Sequence, residues 1–325
     1  MGCVPINTIN TINMKRRVVV CGEKWVAEQC LEFLYDRNDT EICAIVAAPK
    51  DWQADLISFG AKRQLKVFIG NINDYIEELT CLKPDFIFSI QYRPLLKSPI
   101  LNLPSHGCIN LHFGLLPRYG GCYPVAWTIL NGEKQAGATL HYMVNKFDEG
   151  DIIAQTTVLI SEETTARELF DSISKAAVKL FIDTYPVLFS DTVKTRSQDL
   201  TQKLYYANDS IDFDRDRVID WRKTGTEIHR TICAFSFEPF QLPLTSLHLP
   251  DGQQLQVTVT RSRLHNNGSS HPVENAGHIM EVTDSGKLLV ATANGNLIEI
   301  GLLNNKTSRD FIKSLGYSPN DVIFK

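Results

Sequence analysis

Arg17-Val18-Val19-Val20-Cys21-Gly22 is a β-branched run that stops at a glycine, and from Val26 to Leu34 the apolar residues then fall at helical spacing. A strand apolar at every position, rather than every second one, has to be buried on both faces. That is the habit of a parallel sheet covered by helices on either side. The unit recurs outward from there. Residues 42–47 form a second apolar run followed by an amphipathic stretch through residue 61, and residues 67–69 a third followed by a helix over 72–82. Asp85-Phe86-Ile87-Phe88-Ser89-Ile90 is a fourth, and Cys108-Ile109-Asn110-Leu111-His112 a fifth. Strands alternating with helices predict a doubly wound α/β domain with ligands beyond the carboxyl ends of its strands.

Beyond the fifth run, residues 138–144 and 152–160 read as a strand pair. Thr165-x-x-Glu168 is a capping box opening a long helix, whose buried stripe is Leu169, Phe170, Ile173, Ala177, Leu180 and Phe181. Pro186 ends or kinks that helix. Residues 192–220 turn polar, as in a linker or surface crossing, and 227–235 form a short helix. Short strands then follow at 255–260, 278–282, 287–292 and 297–300, separated by Pro, Gly and Asn, which predicts a small β-barrel or sandwich. The expected organisation is a disordered leader over 1–14, an α/β domain over 15–200 and a β-rich domain over 201–325.

With 325 residues, 43% of them hydrophobic and 22% charged, the chain has room for two cores. It holds no apolar run of about 18 residues, so no membrane-spanning helix is expected. The first thirteen residues lack the charged and apolar regions of a signal peptide. The 8 cysteines show no metal-ligand spacing and several sit inside apolar runs. Reduced thiols in a cytoplasmic protein, with no metal site, are the reading. A formal net charge of −4 argues against nucleic acid as the main partner.

Two strand ends stand out. Gly22-Glu23-Lys24-Trp25 lacks the glycine fingerprint of a dinucleotide site, so the simple reading is one glycine turning a strand into a helix. Asn110-Leu111-His112 is richer, because residues i and i+2 share a strand face and a polar pair there needs partners or a cavity. The Pro- and Gly-rich loop after it, through Gly121, strengthens a functional reading. Phe147-Asp148-Glu149-Gly150-Asp151 is a hairpin turn, acidic as many solvated turns are. It takes on chemistry only if Asp148 folds back towards His112.

Asn110-x-His112, Leu115-Leu116-Pro117-x-Tyr119-x-Gly121, Gly137-x-Thr139-x-His141 and Asp148-x-Gly150-Asp151-Ile152 together resemble the signature of the folate-dependent formyltransferases. The resemblance is specific over residues 89–155 and weaker beyond about residue 191. It implies a Rossmann-like domain followed by a small, OB-like β domain. It also implies N10-formyltetrahydrofolate as cosubstrate and Asn110, His112 and Asp148 as the catalytic group. The same resemblance lays the pterin against Ser89, Tyr92, Pro94, Leu95 and Leu96 on one side, with Val144, Asn145, Lys146 and Phe147 on the other.

Three acceptor amines compete. Glycinamide ribonucleotide enzymes resemble a single α/β domain and would leave the last hundred-odd residues unexplained. Methionyl-tRNA enzymes resemble this layout but need basic surface, whereas residues 205–325 carry 12 Lys and Arg against 14 Asp and Glu. The segments Pro124-x-x-Trp127-x-x-x-Asn131-Gly132-Glu133 and Gly137-Ala138-Thr139-Leu140-His141 are similar to enzymes acting on nucleotide-linked 4-amino sugars. Cys122 stands where the polymyxin-resistance type carries an arginine, which favours a dTDP-linked amino-dideoxy sugar over UDP-amino-arabinose. Lys24, Trp25, Arg93 and Phe240 are the expected substrate contacts. Lys24, Arg93 and Arg118 are candidate cations for the diphosphate, each equally readable as plain surface charge. Phe235, Phe237 and Phe240 read either as a platform for the base or as core. The resemblance also implies a homodimer.

Overall fold

The computed structural model describes residues 15–48, 54–189, 193–265, 272–303 and 307–325; the leader over 1–14 lies outside them. The chain divides into two compact units. The first comprises residues 1–112, 139–155 and 177–198, and the second residues 113–138, 156–176 and 199–325.

In the first unit the strands follow the expected order: β1 (Arg16–Gly22), β2 (Thr40–Ala47), β3 (Val67–Ile69), β4 (Phe86–Ile90) and β5 (Cys108–His112). After them in the chain come the short β6 (Gly120–Gly121), which belongs to the second unit, then β7 (Gln135–Tyr142) and β8 (Ile152–Leu159). Seven strands form one sheet in the order β3-β2-β1-β4-β5-β7-β8. The first five are parallel and β7 runs antiparallel to β5. The fold is thus a mixed, mostly parallel Rossmann-like sheet with helices. The order reverses between β1 and β4, the switch point where such sheets bind ligands. Helices α1 (Lys24–Tyr35), α2 (Ala54–Lys62), α3 (Ile76–Leu82) and α4 (Ser98–Leu101) connect the first five strands.

The continuous apolar run has the predicted result: Val18, Val19, Val20 and Cys21 are wholly buried. Val19, Cys21, Val46 and Ile87 pack with Leu79, Leu96 and Ile100 in one core cluster. Phe33, Phe88, Phe181 and Tyr185 form edge-on and tilted ring pairs elsewhere in this unit. The Tyr185 hydroxyl lies 2.8 Å from Thr40 Oγ1, which satisfies its buried polar end. After α5 (Pro124–Leu130), helix α6 spans Ala166–Thr184. Its capping box forms as the sequence implies, Glu168 accepting from the Thr165 N–H at 2.9 Å and Thr165 Oγ1 from that of Glu168 at 3.3 Å.

The second unit holds β9 (Tyr205–Tyr206), paired with β6, and α7 (Phe213–Asp216). It also holds α8 (Gly225–Phe235), which opens on the Thr224/Glu227 capping box. Its sheet has six strands in the order β12-β13-β14-β11-β10-β15. They are β10 (Leu244–His248), β11 (Gln254–His265), β12 (Ile279–Val282), β13 (Leu288–Ala291), β14 (Leu297–Leu302) and β15 (Ile323–Phe324), with α9 (Ser308–Ser314) before the last. The result is an antiparallel half-barrel. The long β11 makes the curvature: its first part pairs with β10, its second with β14, and the register shifts between Val259 and Arg261. A bulge at that point bends the strand from one partner to the other. The cluster inside contains Trp221, Ile228, Ile232, Leu247, Val259, Val290, Ile298, Ile300 and Phe324.

Candidate active site

Strand β5 delivers Asn110 and His112 to one face, as the two-residue period requires. What sequence reading did not supply is the neighbour. Strand β7 pairs antiparallel with β5 so that Asn110 faces His141 and His112 faces Thr139. Directly opposed residues share a sheet face. Asn110 Nδ2 accordingly lies 3.2 Å from His141 Nε2. His141 Nδ1 lies 2.8 Å from the Tyr142 carbonyl oxygen. A carbonyl only accepts, so Nδ1 carries the hydrogen, and in the tautomer with a bare Nε2 that nitrogen accepts from the Asn110 amide. That fixes the Asn110 amide with its nitrogen towards His141, leaving its second N–H for another partner.

Asp148 returns to this cluster. Its carboxylate stands 3.9 Å from His112 Nδ1 and 3.5 Å from His141 Nε2, using different oxygens. Both contacts are longer than an ordinary charge-assisted hydrogen bond. His141 is 1% and His112 8% exposed, so the carboxylate acts where water screens little. The two rings stand edge to face, with centroids 6.4 Å apart. Asp148 has φ +54°, the left-handed region, where a residue other than glycine is held by its surroundings. Gly150 is equally constrained, since a Cβ there would meet the Tyr142 carbonyl oxygen.

The predicted pterin residues divide. Leu95, Val144 and Phe147 are about half exposed, at 52%, 47% and 54%. Their two loops are tied by a 2.8 Å hydrogen bond from Ser98 Oγ to Asn145 Oδ1. Asn145 and Lys146 are exposed beside them and Pro94 is half-buried. Ser89, Tyr92 and Leu96 sit inside instead, at 2%, 8% and 2% exposure. Tyr92 is spent on structure, its hydroxyl donating to Gly70 O at 2.6 Å and accepting from Ile72 N at 2.8 Å. Burial therefore raises that phenol. The side chains of these three are thus turned into the interior rather than presented on the loop surface.

At the switch point, Gly22 and Ile90 are register partners, which brings Lys24 and Arg93 to neighbouring strand ends. Lys24 is left-handed, with φ +61°. Its ammonium is pushed below its usual range, first by burial and then by Arg93. Buried Glu23 offsets part of this charge, 4.0 Å from Arg93 Nε. Trp25, beside them, is 45% exposed. Arg118 and Phe240 belong to the second unit. There Arg118 pairs with Glu133 at 2.7 Å and Phe240 lies 6.1 Å from Phe237, centroid to centroid. Phe235 is core, at 2% exposure.

Among the described residues no group of three His, Cys, Asp or Glu is placed to hold a metal, and no helix is long and apolar enough to cross a membrane. Cys21, Cys30, Cys43, Cys81, Cys108 and Cys233 are free thiols.

A Rossmann-like sheet on which an Asn, two His and an Asp come together is an arrangement suited to group transfer by proton movement and hydrogen bonding. Residues 16–185 match the formyl transferase family, and residues 214–314 match the formyl transferase C-terminal domain. The chain belongs to that family and is a formyltransferase. A methionyl-tRNA formyltransferase of Bacillus velezensis is 31% identical over 257 residues, 78% of this chain and 77% of its own. The bifunctional polymyxin resistance protein ArnA of Wigglesworthia glossinidia brevipalpis is 36% identical over 180 residues, 54% of this chain and 27% of that longer protein. Among solved structures, WlaRD, a sugar 3N-formyl transferase in the presence of dTDP and 5-N-formyl-THF, superposes with a TM-score of 0.69. Identity is 23%, over 90% of this chain and 99% of that one. An N-formyltransferase from Helicobacter canadensis in complex with folinic acid and dTDP-3-aminofucose gives 0.68, again at 23% identity, over 89% of this chain and 100% of that one. At such identities the solved structures establish a shared fold.

Proposed function

We propose that the protein transfers the formyl group of N10-formyltetrahydrofolate to the amine of a dTDP-linked amino-dideoxy sugar. The observation carrying the chemistry is the Asp148 carboxylate set between His112 and His141, with Asn110 oriented on the same strand face. The acceptor nitrogen attacks the formyl carbon, a C–N bond forms, and negative charge gathers on the formyl oxygen. The second N–H of Asn110 and a protonated His112 stabilise that oxygen, each such donor being worth about 10²–10³ in rate. The bond from carbon to the folate nitrogen then breaks, with His112 supplying the proton that nitrogen takes up. Asp148 keeps His112 aimed. A neutral acceptor amine loses one proton and the folate nitrogen gains one, so the transfer balances.

Exposed Leu95, Val144 and Phe147, on two loops that hydrogen-bond to each other, suit the faces of a flat pterin. Ser89, Tyr92 and Leu96 back that wall, and Pro94, Asn145 and Lys146 complete its rim. Lys24 and Arg93, at adjacent strand ends of the switch point, suit a diphosphate, with Trp25 beside them. Residues 15–200 form the catalytic domain of this reading and 201–325 the second domain, in a cytoplasmic homodimer.

The sugar acceptor is supported by the two solved neighbours that bind dTDP or a dTDP-sugar. The acidic balance of residues 205–325 points the same way. Initiator tRNA is the competing acceptor, favoured by the 31% identity to a methionyl-tRNA formyltransferase. Presenting the protein with the formyl donor, a panel of nucleotide amino sugars and charged initiator tRNA decides between them. A mass gain of one formyl group on a dTDP-sugar is expected. A gain on the tRNA alone replaces the sugar reading.

A further inference from the structure

The turn that carries Asp148 is held by a residue outside both segments that match the family. Gln198 lies between residues 185 and 214. Its Nε2 donates to the Asp148 carbonyl oxygen and to the Gly150 carbonyl oxygen, both at 2.7 Å. Both partners accept only, so the amide has one possible orientation, with its nitrogen towards the turn. Gln198 Oε1 is buried without a hydrogen-bond partner among the described residues. The side chain is thus committed at its nitrogen end, and that commitment is to the backbone on either side of Glu149.

The segment around Gln198 is itself fastened to the catalytic sheet. Arg196 and Ile152 exchange two backbone hydrogen bonds of 2.8 Å, adding an antiparallel bridge beside β8. Arg196 Nη2 donates to Gln155 Oε1 at 2.7 Å, and Gln155 Nε2 donates to Thr139 Oγ1 at 2.9 Å. Thr139 is the cross-strand partner of His112. One short strap therefore meets the backbone of Asp148 at its end and, through Gln155, the strand beside His112. The left-handed conformation of Asp148 needs outside support of this kind.

We infer that Gln198 is a positioning residue for Asp148, setting the carboxylate between His112 and His141 through the two carbonyls of its turn. The inference deepens the formyl-transfer reading and rests on it for its kinetic arm. Gln198→Met keeps the length and removes both donors. In the full-length enzyme it is expected to lower kcat about 10- to 100-fold while KM for the formyl donor stays within about 3-fold. In an Asp148→Asn background the same substitution is expected to cost less than about 3-fold, because its route of action is already gone. Backbone hydrogen exchange over residues 143–151 is expected to quicken about 10-fold, with the rest of the sheet unchanged. An equal kcat loss in both backgrounds, or unaltered exchange in the turn, overturns the inference. Should the methionine variant not fold, Gln198→Asn, which keeps the amide one carbon short, goes through the same cycle. Wild-type protein that transfers no formyl group removes the catalytic reading, and the exchange measurement still decides whether Gln198 holds the turn.

Discussion

A single hydrogen bond separates what the residues say alone from what they do together. Asn110 and His112 declare a shared strand face through their spacing, and Asp148 enters through the motif it belongs to. His141 stands in the quoted pattern without a role, because its part depends on register: β7 slides beside β5 so that position 141 meets 110. No local feature of either strand sets that register. Once it is set, the Nδ1 bond to Tyr142 O turns Nε2 into the acceptor that orients Asn110. His141→Leu removes that acceptor, and the kcat for formyl transfer is expected to fall about 10-fold with little change in donor KM. Steady-state kinetics check it; an unchanged kcat would show that Asn110 is oriented by something else. The burial of Tyr92 was hidden for a related reason. The position of an aromatic in a loop after a strand does not reveal whether its ring points out to a pterin or back to Gly70 and Ile72.

Among the elements, the parallel strands and α6 were legible because their signals are local: unbroken apolar runs, and a Thr/Glu pair three residues apart. The strand Leu244–His248 was not. Pro243 and Pro250 flank it and its apolar residues, Leu244 and Leu247, do not alternate, so it looks like a loop until it pairs with β11 and β15. The turn between β7 and β8 joins both kinds of information. Its composition reads as a solvated hairpin, whereas its geometry aims a carboxylate inward. Gly150 is the element's tightest point, since a methyl group there would run into the Tyr142 carbonyl oxygen, an atom of the backbone that cannot swing away. Gly150→Ala is expected to destabilise the protein by about 1–3 kcal/mol through forced displacement and to lower activity more than stability alone explains. Denaturant melts and kcat measured on the same preparation test it; wild-type values for both would mean that the turn tolerates a side chain.

For the molecule as a whole, buried neutral groups set the alkaline limit. Burial pushes the thiols of Cys108 and Cys233 up from 9.0 to about 12 and the Tyr185 phenol from 10.0 to about 12. These groups keep their protons in the fold after the unfolded chain has released them. The stability they contribute is fully present below pH 9 and is lost as pH rises from there towards about 12. Thermal melts between pH 8 and 11.5 are expected to show a steady fall that begins near pH 9, with a shallower slope in Cys108→Ala; a melting temperature flat to pH 11 would contradict it. In the first unit a covered sheet supplies rigidity and a returning turn supplies the charge of the proposed catalytic cluster. The most direct test of that claim is the single-turnover rate of formyl transfer in His112→Asn, with binding of the formyl donor measured alongside. Loss of rate by about 10²–10⁴ with donor binding kept is the predicted result. A rate near that of the wild type would contradict it, since the imidazole beside Asp148 would then take no part in the reaction.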